Sequence, residues 1–336
     1  MATTVLVTGA NGFVGSHILE ALQRCDGLRV VAACRDRSSI PSTFNGEVRA
    51  GDLRNSQYLE SAVKGIDVLC HAAAWSSLWG RRAESGKLFL EPSLSLIEAA
   101  LSAGVSRFVN TSTASAASPQ QSADPMSRGI PRAFWPHLCS IVAVENRLRE
   151  RASNSFRVVN LRLGIFAGKR YGLGVLPILL PRLKTHLVPW VDGGKTSLPI
   201  VDGEDIGEAF ALAVSAPGLG VYESFNIVGP EVPTVRTVIE FLHAEFGYPQ
   251  PHFSVPFSVA YPFAWLMETL DPIVPWEPLV TRSIVHLLEE VSVDNRKAEN
   301  LLGYRPRHRW QDAVRKQVAE MRVRETQPMK MYRPIV

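Results

Sequence analysis

Short apolar runs separated by helical patterns fill the first half of the chain. "TVLVTG", "RVVAACR", "DVLCHAAA", "RFVNTST" and "FRVVNLRLG" are continuous rather than alternating apolar stretches, the pattern of strands covered on both faces of a parallel sheet. Between them, "GSHILEALQR", "SQYLESAVKG", "SLSLIEAALSAG" and "CSIVAVENRLRERA" repeat apolar residues at helical spacing. This alternation predicts an α/β fold, a Rossmann-type doubly wound parallel sheet with right-handed crossovers. After about Ile165 the pattern loosens into Pro- and Gly-rich segments, with helices predicted at "GEDIGEAFALAVSA", "TVRTVIEFLHAEFG" and "WQDAVRKQVAEM". No internal repeat or low-complexity tract interrupts it.

A chain of 336 residues can bury a core without covalent staples. Its four cysteines, Cys25, Cys34, Cys70 and Cys139, fall singly, without a CxxC pair or a nearby His at metal-ligand spacing. They read as reduced, buried thiols of a cytoplasmic protein, and no metal is expected. The net charge of +4 is spread along the chain; the basic stretch Arg322 to Arg333 reads as a solvated end, so nucleic acid is not an expected partner. "MATTVLVTG" enters a strand pattern at once, so export is not expected either.

The apolar stretch Phe253 to Met267 is broken by Pro256 and Pro262 and bounded by Glu268 and Asp271. It falls short of the roughly 20 apolar residues of a spanning helix, so no integral membrane segment is expected. A greasy lid or a subunit contact is the favoured reading, which keeps a homodimer open, with peripheral membrane attachment as the lesser alternative.

Directly after the first strand comes "VTGANGFVGSHI". Gly9, Gly12 and Gly15 are spaced for a tight turn, for close approach to a pyrophosphate and for helix-to-strand packing, and the helix starting near Phe13 aims its free amides at the phosphates. Asn11, Phe13 and Val14 belong to the same loop. The second strand ends in "CRDR". Arg35, helped by Arg37, suits a 2'-phosphate, which favours NADP, while Asp36 keeps NAD open. The expected division is an NAD(P)-binding Rossmann domain over 1–165 and a mainly substrate-binding region over 166–336, some of whose segments return to the sheet.

These motifs, in order, resemble the extended short-chain dehydrogenase/reductases, which include sugar nucleotide epimerases and dehydratases, dihydroflavonol-type reductases and 3β-hydroxysteroid dehydrogenases. The other pieces that carry the resemblance are "GDLRN", "HAAA", "RFVNTSTAS", "LRLGIFAG", "VDGEDIGEA", "YESFNIVG" and "LGYRP", covering nearly the whole chain. The resemblance implies that Asp52 and Leu53 border the adenine and that Ala72 and Ala73 line the cofactor. It also implies a catalytic hydroxyl residue at Thr113, with Ser112 and Ser115 as alternatives, and a Tyr-x-x-x-Lys helix that matches hydride transfer with proton transfer. On "HLCSIVAVE" the Tyr position holds His137 and the Lys position Ile141, while Ser140 and Glu145 keep their family places. Phe89 falls roughly where the family has an Asn, and Leu163 stands where a proline is frequent.

A histidine titrates near pH 6.5 and can act as acid or base without a neighbouring ammonium. Three readings follow. The first is an NADP-dependent oxidoreductase acting on a hydroxyl or keto group of a small molecule, with Thr113 orienting and His137 transferring the proton. The second is a lyase, isomerase or cyclase on the same scaffold, and the third a nucleotide-binding protein without chemistry. The apolar segment Phe253 to Trp276 points to a hydrophobic substrate, or equally to a partner subunit.

Overall fold

The computed structural model describes residues 2–326 apart from 272, 274–277 and 279; Trp276 and Arg333 lie outside the described residues. In chain order come β1 (Thr3–Thr8), α1 (Phe13–Leu22), β2 (Leu28–Cys34), β3 (Glu47–Ala50), α2 (Ser56–Val63), β4 (Val68–His71), α3 (Arg82–Ser85), α4 (Glu91–Ser102), β5 (Arg107–Thr113), α5 (Pro136–Arg151) and β6 (Arg157–Leu163). They are followed by β7 (Ile165–Ala167), α6 (Val175–Leu183), β8 (Trp190–Val191), β9 (Ile200–Asp202), α7 (Gly203–Ser215), β10 (Tyr222–Ile227), α8 (Val235–Phe246), β11 (Ser254–Val255), α9 (Phe257–Leu270), α10 (Arg282–Leu287), α11 (Arg296–Leu302) and α12 (Trp310–Thr326).

Seven parallel strands form one sheet in the order β10-β6-β5-β4-β1-β2-β3. The chain reverses direction of travel between β1 and β4, where a Rossmann-type sheet opens its crevice at the carboxyl ends of the strands. The five apolar runs became β1, β2, β4, β5 and β6. β3, absent from the strand reading, is a four-residue edge strand, exposed at both ends and half-buried between, so it has no apolar run to announce it. β10 is carried into the sheet from the C-terminal half, beside β6.

The sheet is buried on both faces. One face packs on α1 and α7 through Ile18, Leu22, Ile206 and Phe210, and the other on α2, α4 and α5 through Leu59, Leu96, Val144 and Leu148. A separate core in the second half joins α6, α8 and α12. Cys34 and Cys70 are buried, as expected, but Cys25 and Cys139 are half-buried. Cys139 lies on the outer side of α5 and donates its thiol to the Arg132 carbonyl, while His137 and Ser140 on the same helix are buried.

A buried ion pair fixes α5 to the sheet. Arg162 in β6 is fully buried, and its guanidinium grips both oxygens of Glu145 at 2.9 and 2.8 Å. Ser112 and Asn160 donate to the same carboxylate at 2.6 and 2.8 Å, and Arg162 donates to the Ser127 carbonyl at 2.8 Å. With every charge-bearing atom of the carboxylate matched by donors, the desolvation of the pair is offset locally, and the helix has one rotational setting on β5 and β6.

Candidate functional site

The glycine turn is built by contact. Gly9 has φ +62°, and a Cβ there would lie 2.5 Å from the Ala73 Cα, so only glycine lets β1 turn against the end of β4. A Cβ on Gly15 would lie 2.1 Å from the Gly9 carbonyl, which sets how closely α1 approaches the turn. At Gly12 an added Cβ would meet only the Gly9 carbonyl, at 3.2 Å, and the residue is exposed. Gly12 is the N-cap of α1, and neither a side-chain cap nor an acidic residue occupies that helix start. Its amides and positive dipole end are thus open to an anion, and the turn fits a dinucleotide pyrophosphate. Val14 is buried against the core beneath, Phe13 packs edge-to-face on His17 and tilted on Tyr171, and Asn11 donates to the Asp36 carbonyl at 3.4 Å.

Beneath this turn runs a buried polar chain that sequence reading did not single out. Ser93 Oγ donates to the Phe89 carbonyl at 2.6 Å, so it accepts from His71 Nε2 at 3.0 Å. His71 Nδ1 accepts from Thr8 Oγ1 at 2.8 Å, and Thr8 Oγ1 accepts from the Ala73 amide at 3.4 Å. Burial pushes the His71 imidazole down to about 4, consistent with a neutral, doubly hydrogen-bonded ring. The chain couples Ala72 and Ala73, which border the turn, to the π-helical segment Gly86–Leu90 that carries Phe89.

At the end of β2, Arg35, Asp36 and Arg37 are all exposed. The Asp36 carboxylate is engaged within its own loop by Ser38 N, Ser38 Oγ and Ser39 Oγ at 2.9, 2.7 and 3.1 Å. Arg37 donates to the Val48 carbonyl at 2.8 Å. Arg35 makes no hydrogen bond among the described residues, and its charge is felt by Asp52. Asp52 is clamped by Arg54, whose hydrogen bonds hold its carboxyl down at about 2, while Leu53 packs into the core under β3 and β4.

The catalytic candidates lie at the end of β5 and on α5. Thr113 is the last residue of β5, and its Oγ1 accepts from the Ser115 amide at 3.3 Å, leaving its hydroxyl proton to donate elsewhere. Ser112 is buried and committed to Glu145. α5 packs against the Ala114–Ala116 turn and against the π-helical segment. Pro136 occupies its first turn, where a missing amide costs nothing. His137 follows, 7% exposed, with the edge of Phe89 at 5.1 Å and Trp75 at 6.5 Å. Among the described residues its Nδ1 has no hydrogen-bond partner, and burial pushes the imidazole down to about 4. Ile141, one turn on, is half-buried and packs against the core cluster that includes Phe89.

Comparison with known proteins settles the family. The model of the NAD dependent epimerase/dehydratase family matches residues 5–228. The chain belongs to that family. Among relatives of this epimerase/dehydratase-family chain, a 4-hydroxy-2-methyl-3-oxo-4-farnesyl-3,4-dihydroquinoline-1-oxide ketoreductase of Stigmatella aurantiaca is 27% identical, covering 89% of this chain and 90% of its own. A 2-alkyl-3-oxoalkanoate reductase of Stenotrophomonas maltophilia (strain K279a) is 26% identical over 84% of this chain and 88% of its own. The crystal structure of gox2253 has TM-score 0.74 at 27% identity, covering 95% of this chain and 98% of that one. A UDP-glucose 4-epimerase of Thermotoga maritima shares the fold, with TM-score 0.71 at 21% identity over 96% and 99% of the two chains. The protein is thus an NAD(P)-dependent enzyme of an oxidoreductase-type family that acts on small molecules and binds a nicotinamide cofactor.

A cleft lies past the end of β5, beside Pro119 and Gln120. It measures about 720 Å³ and is lined by Gln120, Arg132, Thr196, Phe257, Glu289 and Glu290 among others. Phe257 is the part of the apolar segment that enters it; Phe263 and Trp265 of α9 are 47% and 52% exposed on the outside. No described helix is long and apolar enough to cross a membrane.

Proposed function

We propose that the chain reduces a ketone to a secondary alcohol, or runs the reverse reaction, with NADP as the preferred cofactor. The observation that carries the reading is His137. Its imidazole is held neutral in an aromatic box at the start of the helix that flanks Thr113. A neutral imidazole is a poor proton source but an effective hydrogen-bond donor to a carbonyl oxygen that is gaining charge, and its low-dielectric setting strengthens that bond. The partnerless Nδ1 then keeps its lone pair, and Nε2 carries the proton. In this reading Thr113 donates its remaining hydroxyl proton to the same oxygen, and Ile141 and Phe89 exclude water from the reacting carbon.

A nicotinamide cofactor held through its pyrophosphate at the glycine turn would supply or accept the hydride. Phosphate binding falls to the amides at the start of α1. Preference for the 2'-phosphate falls to Arg35, because Asp36 is engaged as a loop cap and Arg37 by Val48. The substrate is a small molecule whose apolar part meets Phe257 and whose polar part meets Arg132, Thr196 and Glu290. The exposed face of α9 is a candidate homodimer contact.

The test is a set of ketones supplied with NADPH, followed through loss of the reduced nicotinamide. Stoichiometric consumption is expected; product formation without net consumption would move the chain to the isomerase or lyase class. His137→Gln is expected to lower kcat/KM about 10²- to 10³-fold, the usual effect of removing one oxyanion donor, while NADPH affinity holds. Unchanged turnover in that variant would refute the assignment.

A further inference from the structure

Reduction of a carbonyl needs a proton as well as a hydride, and a neutral His137 does not supply one readily. A second histidine stands beside Trp135, the residue before α5, with ring centroids 6.2 Å apart. His286, near the end of α10, is 5% exposed, with Nδ1 2.9 Å from Glu289 Oε2 and Nε2 3.4 Å from the Ser115 carbonyl. Both neighbours are pure acceptors, so meeting both takes a proton on each ring nitrogen. Tyr261 from α9 donates to the other carboxylate oxygen of Glu289 in a short hydrogen bond. Glu289 itself lines the cleft.

We propose that His286 is the general acid of the reduction, with Glu289 and Tyr261 as its positioning residues. The proposal rests on the ketone-reductase reading. Nε2 reaches the loop two residues past Thr113, where the substrate oxygen is oriented, and its 3.4 Å contact to Ser115 is long enough to yield to a stronger acceptor. An alkoxide is such an acceptor. A bound reduced nicotinamide would supply the hydride to the carbonyl carbon, moving the C=O π pair onto oxygen. That oxygen takes the proton from Nε2, the N–H electrons return to the ring, and solvent in the cleft restores the proton.

Glu289 is placed to accept from the ring at Nδ1. Although burial works to raise it, hydrogen bonds from His286 and Tyr261 hold the Glu289 carboxyl below its usual value. Arg132 also faces the cluster and opposes a positive charge there, and the rings of Phe134 and Trp135 have centroids 6.2 Å from that of His286. His137 has no carboxylate partner of this kind, which divides the labour: one histidine polarises, the other protonates.

Two measurements on the full chain decide it. In nitrogen-15 histidine spectra at neutral pH, without cofactor, His286 is expected to carry protons on both nitrogens and to lose one in Glu289→Gln. In ketone reduction with NADPH, His286→Gln is expected to lose about 10²-fold or more in kcat/KM at unchanged NADPH affinity, with partial rescue by added imidazole. The alkaline fall of the wild-type rate profile should move to lower pH in Glu289→Gln and to higher pH in Tyr261→Phe, because the first releases the proton and the second concentrates carboxylate charge on it. Neither variant depends on His286→Gln folding. A singly protonated His286 in a chain that reduces ketones overturns this role alone, as does wild-type turnover in His286→Gln. A doubly protonated His286 in a chain that reduces no ketone overturns the reductase reading and this role with it.

Discussion

Replacing Glu145 by Gln leaves the side-chain volume unchanged and removes one charge from a site where the partner, Arg162, has no solvent exposure. The guanidinium then loses a carboxylate held at 2.9 and 2.8 Å, and one face of the new amide presents N–H groups to donors from Arg162, Ser112 or Asn160. Breaking a buried pair by removing one partner costs about 3–5 kcal/mol, a large share of the roughly 5–15 kcal/mol that stabilises a folded protein. At about 2–4 °C per kcal/mol the melting temperature should fall by about 6–20 °C. Calorimetry and urea unfolding read this directly. The double variant Glu145→Leu with Arg162→Met should lose less than either single change, because neither leaves a buried charge alone. A single-variant loss under about 1 kcal/mol, or a double variant that simply sums the singles, would refute the claim that this pair locks α5.

Further expectations follow from the same geometry. Arg35→Ala should weaken NADPH binding about 10- to 100-fold, as for loss of a charge-assisted hydrogen bond, and leave NADH nearly unchanged, as read by fluorescence titration; equal losses for both would remove Arg35 from 2'-phosphate recognition. Gly15→Ala places a Cβ 2.1 Å from the Gly9 carbonyl, so α1 must back away; stability should fall by about 1–3 kcal/mol, and affinity for both cofactors should fall together. His71 and His137 are held at about 4 in the folded chain against an ordinary 6.5. The unfolded chain therefore binds more protons between those values, and stability is full above pH 6.5 and declines as pH falls towards 4, by up to about 3 kcal/mol per histidine. Urea midpoints that stay flat across that window would contradict the buried neutral state of both rings.

The sheet and its glycine turn were legible because each rests on local chemistry. Continuous apolar runs mark two-face burial, and the glycines at 9 and 15 are demanded by backbone contacts that any side chain would violate. β3 was not legible, since an edge strand with exposed and half-buried side chains has no apolar signature.

Helical spacing in the sequence also predicted the helix that carries His137 and Ile141, and the structure has it as α5. Spacing could not fix charge state. His137 is neutral because Phe89 and Trp75 close around it, and these come from segments more than forty residues away, as the numbering shows. His286 and Glu289 stand three apart in "HLLEE" and read as an ordinary helix pair. Only the packing of α10 against Ser115 and Tyr261 turns them into acid-base candidates. The sequence determined which backbone carries the chemistry, through steric and hydrophobic rules that act over a few residues. Tertiary structure decided which side chains hold protons, since desolvation and partner geometry exist only once distant segments meet.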